Sequence, residues 1–241
     1  MSIYSRDYMK GPQRSGIPSP VNWSVVTWLL VVNITVFIIH HGFYNAPPTW
    51  ASVLGLSIEG LTRWWLWTPV TYQFLHGHLF HLLGNMLVLF FLGRMLQREI
   101  PQRHVLRLYL LGGLVGGFFQ LVWNLSLQRD AACVGASASV LAIAFALVTL
   151  RPNERLRLML FFLIPVNLTF RTLGIILIVV NVFELIRGIA YPISSSAQIA
   201  VLAHFGGMFF GWFYMKQFTP QWDIGNAREG KKSFWDRFRI R

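Results

Sequence analysis

The sequence predicts an all-α integral membrane protein, a bundle of six transmembrane helices with a long interfacial first loop. Three observations predict it. Of 241 residues, 54% are hydrophobic and only 12% charged, and the mean hydropathy is +0.50. Soluble domains carry about 25% charged residues, and a chain with half that fraction has too little polar surface to stay dispersed. The apolar residues also gather into runs close to the ~20 residues that cross a bilayer as a helix. Finally, the basic residues sort by loop, as they do when a membrane orients a chain. The same apolar content excludes intrinsic disorder.

Residues 1–22 read as a polar cytoplasmic tail. The first apolar run begins near Trp23 and is too long for a signal-peptide core, so no cleavable leader is expected. The six spans are expected at 23–41, 79–97, 105–126, 135–150, 172–190 and 200–218, making 23–219 the membrane domain. Residues 42–78 are too polar and too broken by Pro and Gly to span. They carry Trp50, Trp64, Trp65 and Trp67, and Trp favours the membrane–water boundary, so this loop is expected to lie partly in the interface. Residues 156–168 are apolar but short and interrupted by Pro165, and read as interfacial or re-entrant. Residues 220–241 form a basic cytoplasmic tail.

The net charge of +12 invites a nucleic-acid reading, but that role needs a basic stripe on a folded surface. With the N-terminus in the cytoplasm, all but three of the 21 basic residues fall on the inner side. Arg63 and Arg129 lie in outer loops and Arg187 within the fifth helix. The charge therefore reports topology, with both termini inside, and nucleic acid is not an expected partner. The lone Cys133 excludes an internal disulfide and a Cys-based zinc cluster.

Polar groups inside a membrane are costly and mark function by default. His81 and Asn85 lie an i, i+4 step apart near the outer end of the second helix. Ser137 opens the fourth helix, which also enters from outside. His204 lies about one turn into the sixth, again entering from outside. Topology alone brings the four to similar depth beneath the outer face. A serine hydroxyl needs a base to become a nucleophile, and His204 is the candidate. Attack on a carbonyl makes an oxyanion that needs preorganised donors, which Asn85, His81 and the Ser137 backbone N–H would supply at the positive end of a helix. Gly135 beside the serine, and Gly207 and Gly211 spaced as GxxxG after the histidine, suit close helix packing at this site.

These stretches resemble the rhomboid family of intramembrane serine proteases. The resemblance rests on His76-Gly77-His78-Leu79-Phe80-His81-Leu82-Leu83-Gly84-Asn85-Met86, on Gly135-Ala136-Ser137-Ala138, and on Ala203-His204-Phe205-Gly206-Gly207-Met208-Phe209-Phe210-Gly211. It covers roughly residues 60–215. It implies a Ser137–His204 dyad without an Asp, oxyanion stabilisation by His81 and Asn85, and no metal or cofactor. It further implies transmembrane segments of other membrane proteins as substrates, cut near the outer face. A cell (inner) membrane location is expected. The chain departs from the family's frequent pattern at Arg63, which is displaced from Trp64 and Trp65, at Ala138 after the serine, and at Gln97. Leu141 stands where some members stack a Tyr on the base.

An inactive member that binds transmembrane clients would be expected to lose the Ser or His. A small transporter would favour internal repeats and charged mid-membrane residues. A metal hydrolase on His76, His78 and His81 lacks the Glu of an H-E-x-x-H arrangement; His76 and His78 are expected in the wet interface. The overlapping GxxxG pairs of Gly112, Gly113, Gly116 and Gly117 read as packing within the chain. Glu184 and Arg187 are expected to neutralise each other, Cys133 to fill apolar space, and Asn33, Asn124 and Asn181 to bond between helices.

Overall fold

A computed structural model describes residues 23–42, 49–160, 164–190 and 200–218. The two expected tails lie outside them. The chain forms α1 (Val25–Gly42), then three short helices, α2 (Thr49–Leu54), α3 (Ile58–Thr62) and α4 (Thr68–Thr71), the last running into a 3₁₀ turn at Tyr72–Phe74. Next come α5 (Leu79–Val88), a π-helical turn (Leu89–Gly93) and α6 (Arg94–Glu99), which together make one continuous span. Helix α7 (Gln102–Ser126) follows, then α8 (Ser137–Leu150), α9 (Phe170–Ala190) and α10 (Val201–Phe218). The protein is mostly helical, and among the described residues four helices are long and apolar enough to cross a membrane: α1, Leu79–Glu99, α7 and α9. Helix α8 has only 14 residues, about 21 Å at 1.5 Å per residue.

Each expected span coincides with a helix, with edges moved for local reasons. Helix α7 begins at Gln102 rather than 105 because Pro101, with φ −55°, sits at its N-cap, where a missing N–H costs nothing. Helix α8 begins at Ser137 because Gly135 has φ +132°, a left-handed backbone that ends the incoming loop. The 156–168 stretch, expected to be interfacial or re-entrant, is extended where described. Its residues form an antiparallel hairpin, β1 (Arg155–Leu160) with β2 (Ile164–Thr169), in the register Arg155↔Thr169 to Leu160↔Ile164. The alternation in Arg155-Leu156-Arg157 explains this: a period of two turns Leu156 into the core and leaves both arginines exposed.

The core lies where α7, α8 and α10 pack on one another, and glycine makes their close approach possible. A Cβ on Gly207 would run into the Ala138 carbonyl, one on Gly211 into the Ala142 carbonyl, and one on Gly116 would lie 2.5 Å from the Ala138 Cβ. The Gly112–Gly117 cluster thus packs within the chain, against α8, α10 and Tyr72. Buried polar groups tie the elements together. Ser139 Oγ donates to Gln73 Oε1 (3.0 Å), Tyr72 Oη to the Gly113 carbonyl (2.5 Å), and Asn33 Nδ2 to Tyr109 Oη (3.0 Å). At the end of the bundle bearing the hairpin, Arg151 pairs with Glu99 at 2.7 Å, bracing α6 against the end of α8.

Candidate active site

Ser137 is the first residue of α8 and His204 lies in the first turn of α10. The Gly207–Ala138 contact holds these helices together one turn from the histidine. His204 Nε2 and Ser137 Oγ lie 2.7 Å apart, within the reach expected of a nucleophile and its base. Both residues are half-buried. In α8 the first intrahelical donor is Val140 N–H, bonded to the Ala136 carbonyl. The N–H groups of the opening residues thus have no acceptor among the described residues and can meet a developing negative charge.

The loop before the serine is fastened from both sides. Leu56 and Cys133 exchange backbone hydrogen bonds of 3.0 and 2.8 Å, and Gly135 N–H donates to the Tyr72 carbonyl at 2.9 Å. Asp130 accepts from Ile58 N–H and Glu59 N–H, both at 2.8 Å, stapling the same loop to the start of α3. Cys133 fills apolar space as expected, and burial pushes its thiol up to about 12. A Cβ on Gly135 would lie 2.7 Å from His81 Cε1, so the absence of a side chain there lets the His81 ring approach the backbone leading into Ser137.

Asn85 is buried, one turn after His81 on α5, and its Nδ2 has no hydrogen-bond acceptor among the described residues. His78 is exposed and caps α5, its Nδ1 accepting from His81 N–H at 3.1 Å. His76 differs from expectation. It is only 2% exposed, packed edge-on to the His81 ring at 5.1 Å between centroids. Burial, with the His81 charge adding, brings it down to about 4. The reason is that Leu75 and His76 turn inward after the 3₁₀ turn. Among the described residues neither His76 nitrogen makes a well-formed hydrogen bond, although the Phe74 backbone favours the charged form somewhat.

The partner of His204 that the sequence did not identify is Asn181. Its Oδ1 lies 2.7 Å from His204 Nδ1, and its Nδ2 donates to the Leu177 carbonyl at 2.8 Å. The expectation that Asn181 bonds between helices was correct in kind, but the partner was not legible. It sits 23 residues before the histidine on another helix, and the available signal was one amide among aliphatic neighbours. Asn33 also bonds between helices, to Tyr109 on α7. Asn124 does not; its Nδ2 donates to the Ala131 carbonyl in the following loop and its Oδ1 accepts from Gln120 within α7. Glu184 and Arg187 pair at 2.5 Å on α9, as expected.

A Rhomboid domain matches residues 63–220. RHOMBOID-like protein 12, mitochondrial, from Arabidopsis thaliana is 28% identical over 197 residues, 76% of this chain. The chain spans about half the length of that relative, 55% of it being matched. The domain match takes in α4 through α10, and with them Ser137, His204, His81, Asn85 and Asn181, across well over half of the 241 residues; the chain is a membrane protein of the rhomboid family.

Proposed function

We propose that this chain is an intramembrane serine endopeptidase that cuts transmembrane segments of other membrane proteins near their outer ends. The observation that carries the reading is the 2.7 Å contact between Ser137 Oγ and His204 Nε2 at the start of two helices pointing the same way. In this mechanism the Ser137 hydroxyl proton passes to His204 Nε2 as Oγ attacks the scissile carbonyl carbon. The carbonyl oxygen becomes an oxyanion that accepts from Asn85 Nδ2, the His81 ring and the Ser137 backbone N–H. Collapse breaks the C–N bond, and the leaving amine takes the proton from His204. Water, deprotonated by the same base, then hydrolyses the acyl-enzyme.

Six spans suit this chemistry. Helix α8, about 21 Å long, is shorter than a ~30 Å hydrocarbon core. Its serine end then lies below the outer surface, roofed by the loop that Leu56 and Asp130 hold down. That depth admits water from one side and a lipid-embedded substrate from the other. The first loop, with Trp64 78% exposed, lies in the outer interface. The tails 1–22 and 220–241 lie on the Arg-rich cytoplasmic side of a cell membrane. Substrates are membrane proteins, and no cofactor or metal takes part.

Labelling with a fluorophosphonate probe, mapped by mass spectrometry, tests the reading. Ser137 is the expected adduct, and Ser137→Ala and His204→Ala should each abolish cleavage of a test transmembrane substrate while the protein stays folded. Retained cleavage in either variant, or an active preparation in which Ser137 never labels, would refute it.

A further inference from the structure

We infer that Asn181 is a positioning residue that fixes the tautomer of His204, and through it ties the base to the packing of helix α9. The inference rests on the reading of Ser137 and His204 as nucleophile and base. Asn181 is 7% exposed, and its Nδ2 donates to the Leu177 carbonyl at 2.8 Å. Turned the other way, the amide would set its oxygen against that carbonyl and lose the bond. The oxygen therefore faces His204 Nδ1 at 2.7 Å. An amide oxygen only accepts, so Nδ1 carries the proton. Neutral imidazole has one N–H, so Nε2 is left with its lone pair facing Ser137 Oγ at 2.7 Å. The other tautomer would lose the Asn181 bond and present an N–H to the serine, where it cannot act as a base. When His204 takes the serine proton, Oδ1 still accepts from Nδ1–H and holds the ring in place. Asn181 thus occupies the orienting position of a triad and supplies what Leu141 does not.

This acceptor stands on the most weakly held of the long helices. Helix α9 is the least buried of the four long apolar helices, and its buried residues are Phe170, Gly174 and Asn181. Phe170 and Gly174 lie near the hairpin end, with a Gly174 Cβ position 2.9 Å from Val148. Toward the serine, Asn181 is the buried contact of α9, and the rows of Ile175, Val179 and Phe183 face outward. Any displacement of this part of α9 withdraws the oxygen from His204. The base is set for proton transfer only while α9 is packed against α10.

The full-length protein in lipid vesicles provides the test, with Asn181→Leu, Asn181→Asp and Ser137→Ala compared on one transmembrane substrate. Leucine keeps the volume and removes the acceptor. It should lower kcat by about tenfold or more with KM little changed, since the loss falls on proton transfer. Aspartate offers the same oxygen and should restore most of the rate. Nitrogen-15 spectra of His204 should show the Nδ1–H tautomer in the unsubstituted protein and a shift away from it in the leucine variant. If thermal melting shows the leucine variant unfolded, Asn181→Ala takes its place. A leucine variant with unchanged kcat and tautomer overturns the inference, as does an aspartate variant no better than leucine with the tautomer unchanged. Activity retained in Ser137→Ala would instead bring down the parent reading, so the two failures are told apart.

Discussion

Asn85 keeps its side-chain Nδ2 out of water without an acceptor among the described residues. An unmade buried hydrogen bond costs about 1–3 kcal/mol, and such a cost is tolerable where the acceptor appears during the reaction. If Asn85 donates to the oxyanion, Asn85→Ala should lower kcat by about 10²–10³. Its melting temperature should hold or rise, because an unsatisfied donor is removed. Cleavage rates read beside thermal unfolding check this; an unchanged rate with a lower melting temperature would make Asn85 a structural clamp. At this scale the sequence revealed residues whose spacing is local. His81 and Asn85 share a helix face, and Ser137 and His204 each open a helix, so topology brought them to one depth. Asn181 was seen as polar but not as the partner of His204, because the pairing depends on the rotation of α9, which an aliphatic sequence with little periodicity does not encode. His76 was misjudged because aromatic content places a loop near the interface without saying which of its residues turn inward.

Helices α8 and α10 approach so closely that backbone meets backbone, and their contact is what sets the serine–histidine distance. A Cβ on Gly207 would strike the Ala138 carbonyl, while one on Gly84 in α5 would meet nothing within 4 Å. Gly207→Leu should therefore force the helices apart, destabilise by at least the 1–3 kcal/mol typical of overpacking, and abolish cleavage. Gly84→Ala should be neutral or stabilise by up to about 1 kcal/mol with full activity. Thermal unfolding and cleavage assays on the pair separate the contact from a general effect of filling glycines; equal losses in both would show that the α8–α10 approach is not special. Helix positions were legible because a span of apolar residues has few alternatives in a membrane. The β1–β2 hairpin was not, since a short apolar run broken by Pro165 fits a strand as well as an interfacial segment, and only pairing partners decide.

Across the whole molecule, polar anchoring divides into two ends. One carries Asp130, the Leu56–Cys133 bridge and the opening of α8; the other carries Glu99, Arg151 and the basic hairpin. The basic residues follow the same division, with Arg63 and Arg129 at the first end and Arg151, Arg155 and Arg157 at the second, the split on which the expected sidedness of the loops rests. Between Arg129 and Arg157 stands α8, whose 14 residues fall short of a bilayer by length alone. If it crosses, cysteines at these two exposed positions must face opposite compartments. In sealed vesicles, a membrane-impermeant maleimide should reach Arg129→Cys from one side only and Arg157→Cys only from the other. Cys133 can remain, because a buried thiol pushed up to about 12 stays protonated and unreactive. Labelling of both from the same side would mean that α8 does not cross, and the six-span arrangement that sets Ser137 beneath the outer face would fall with it.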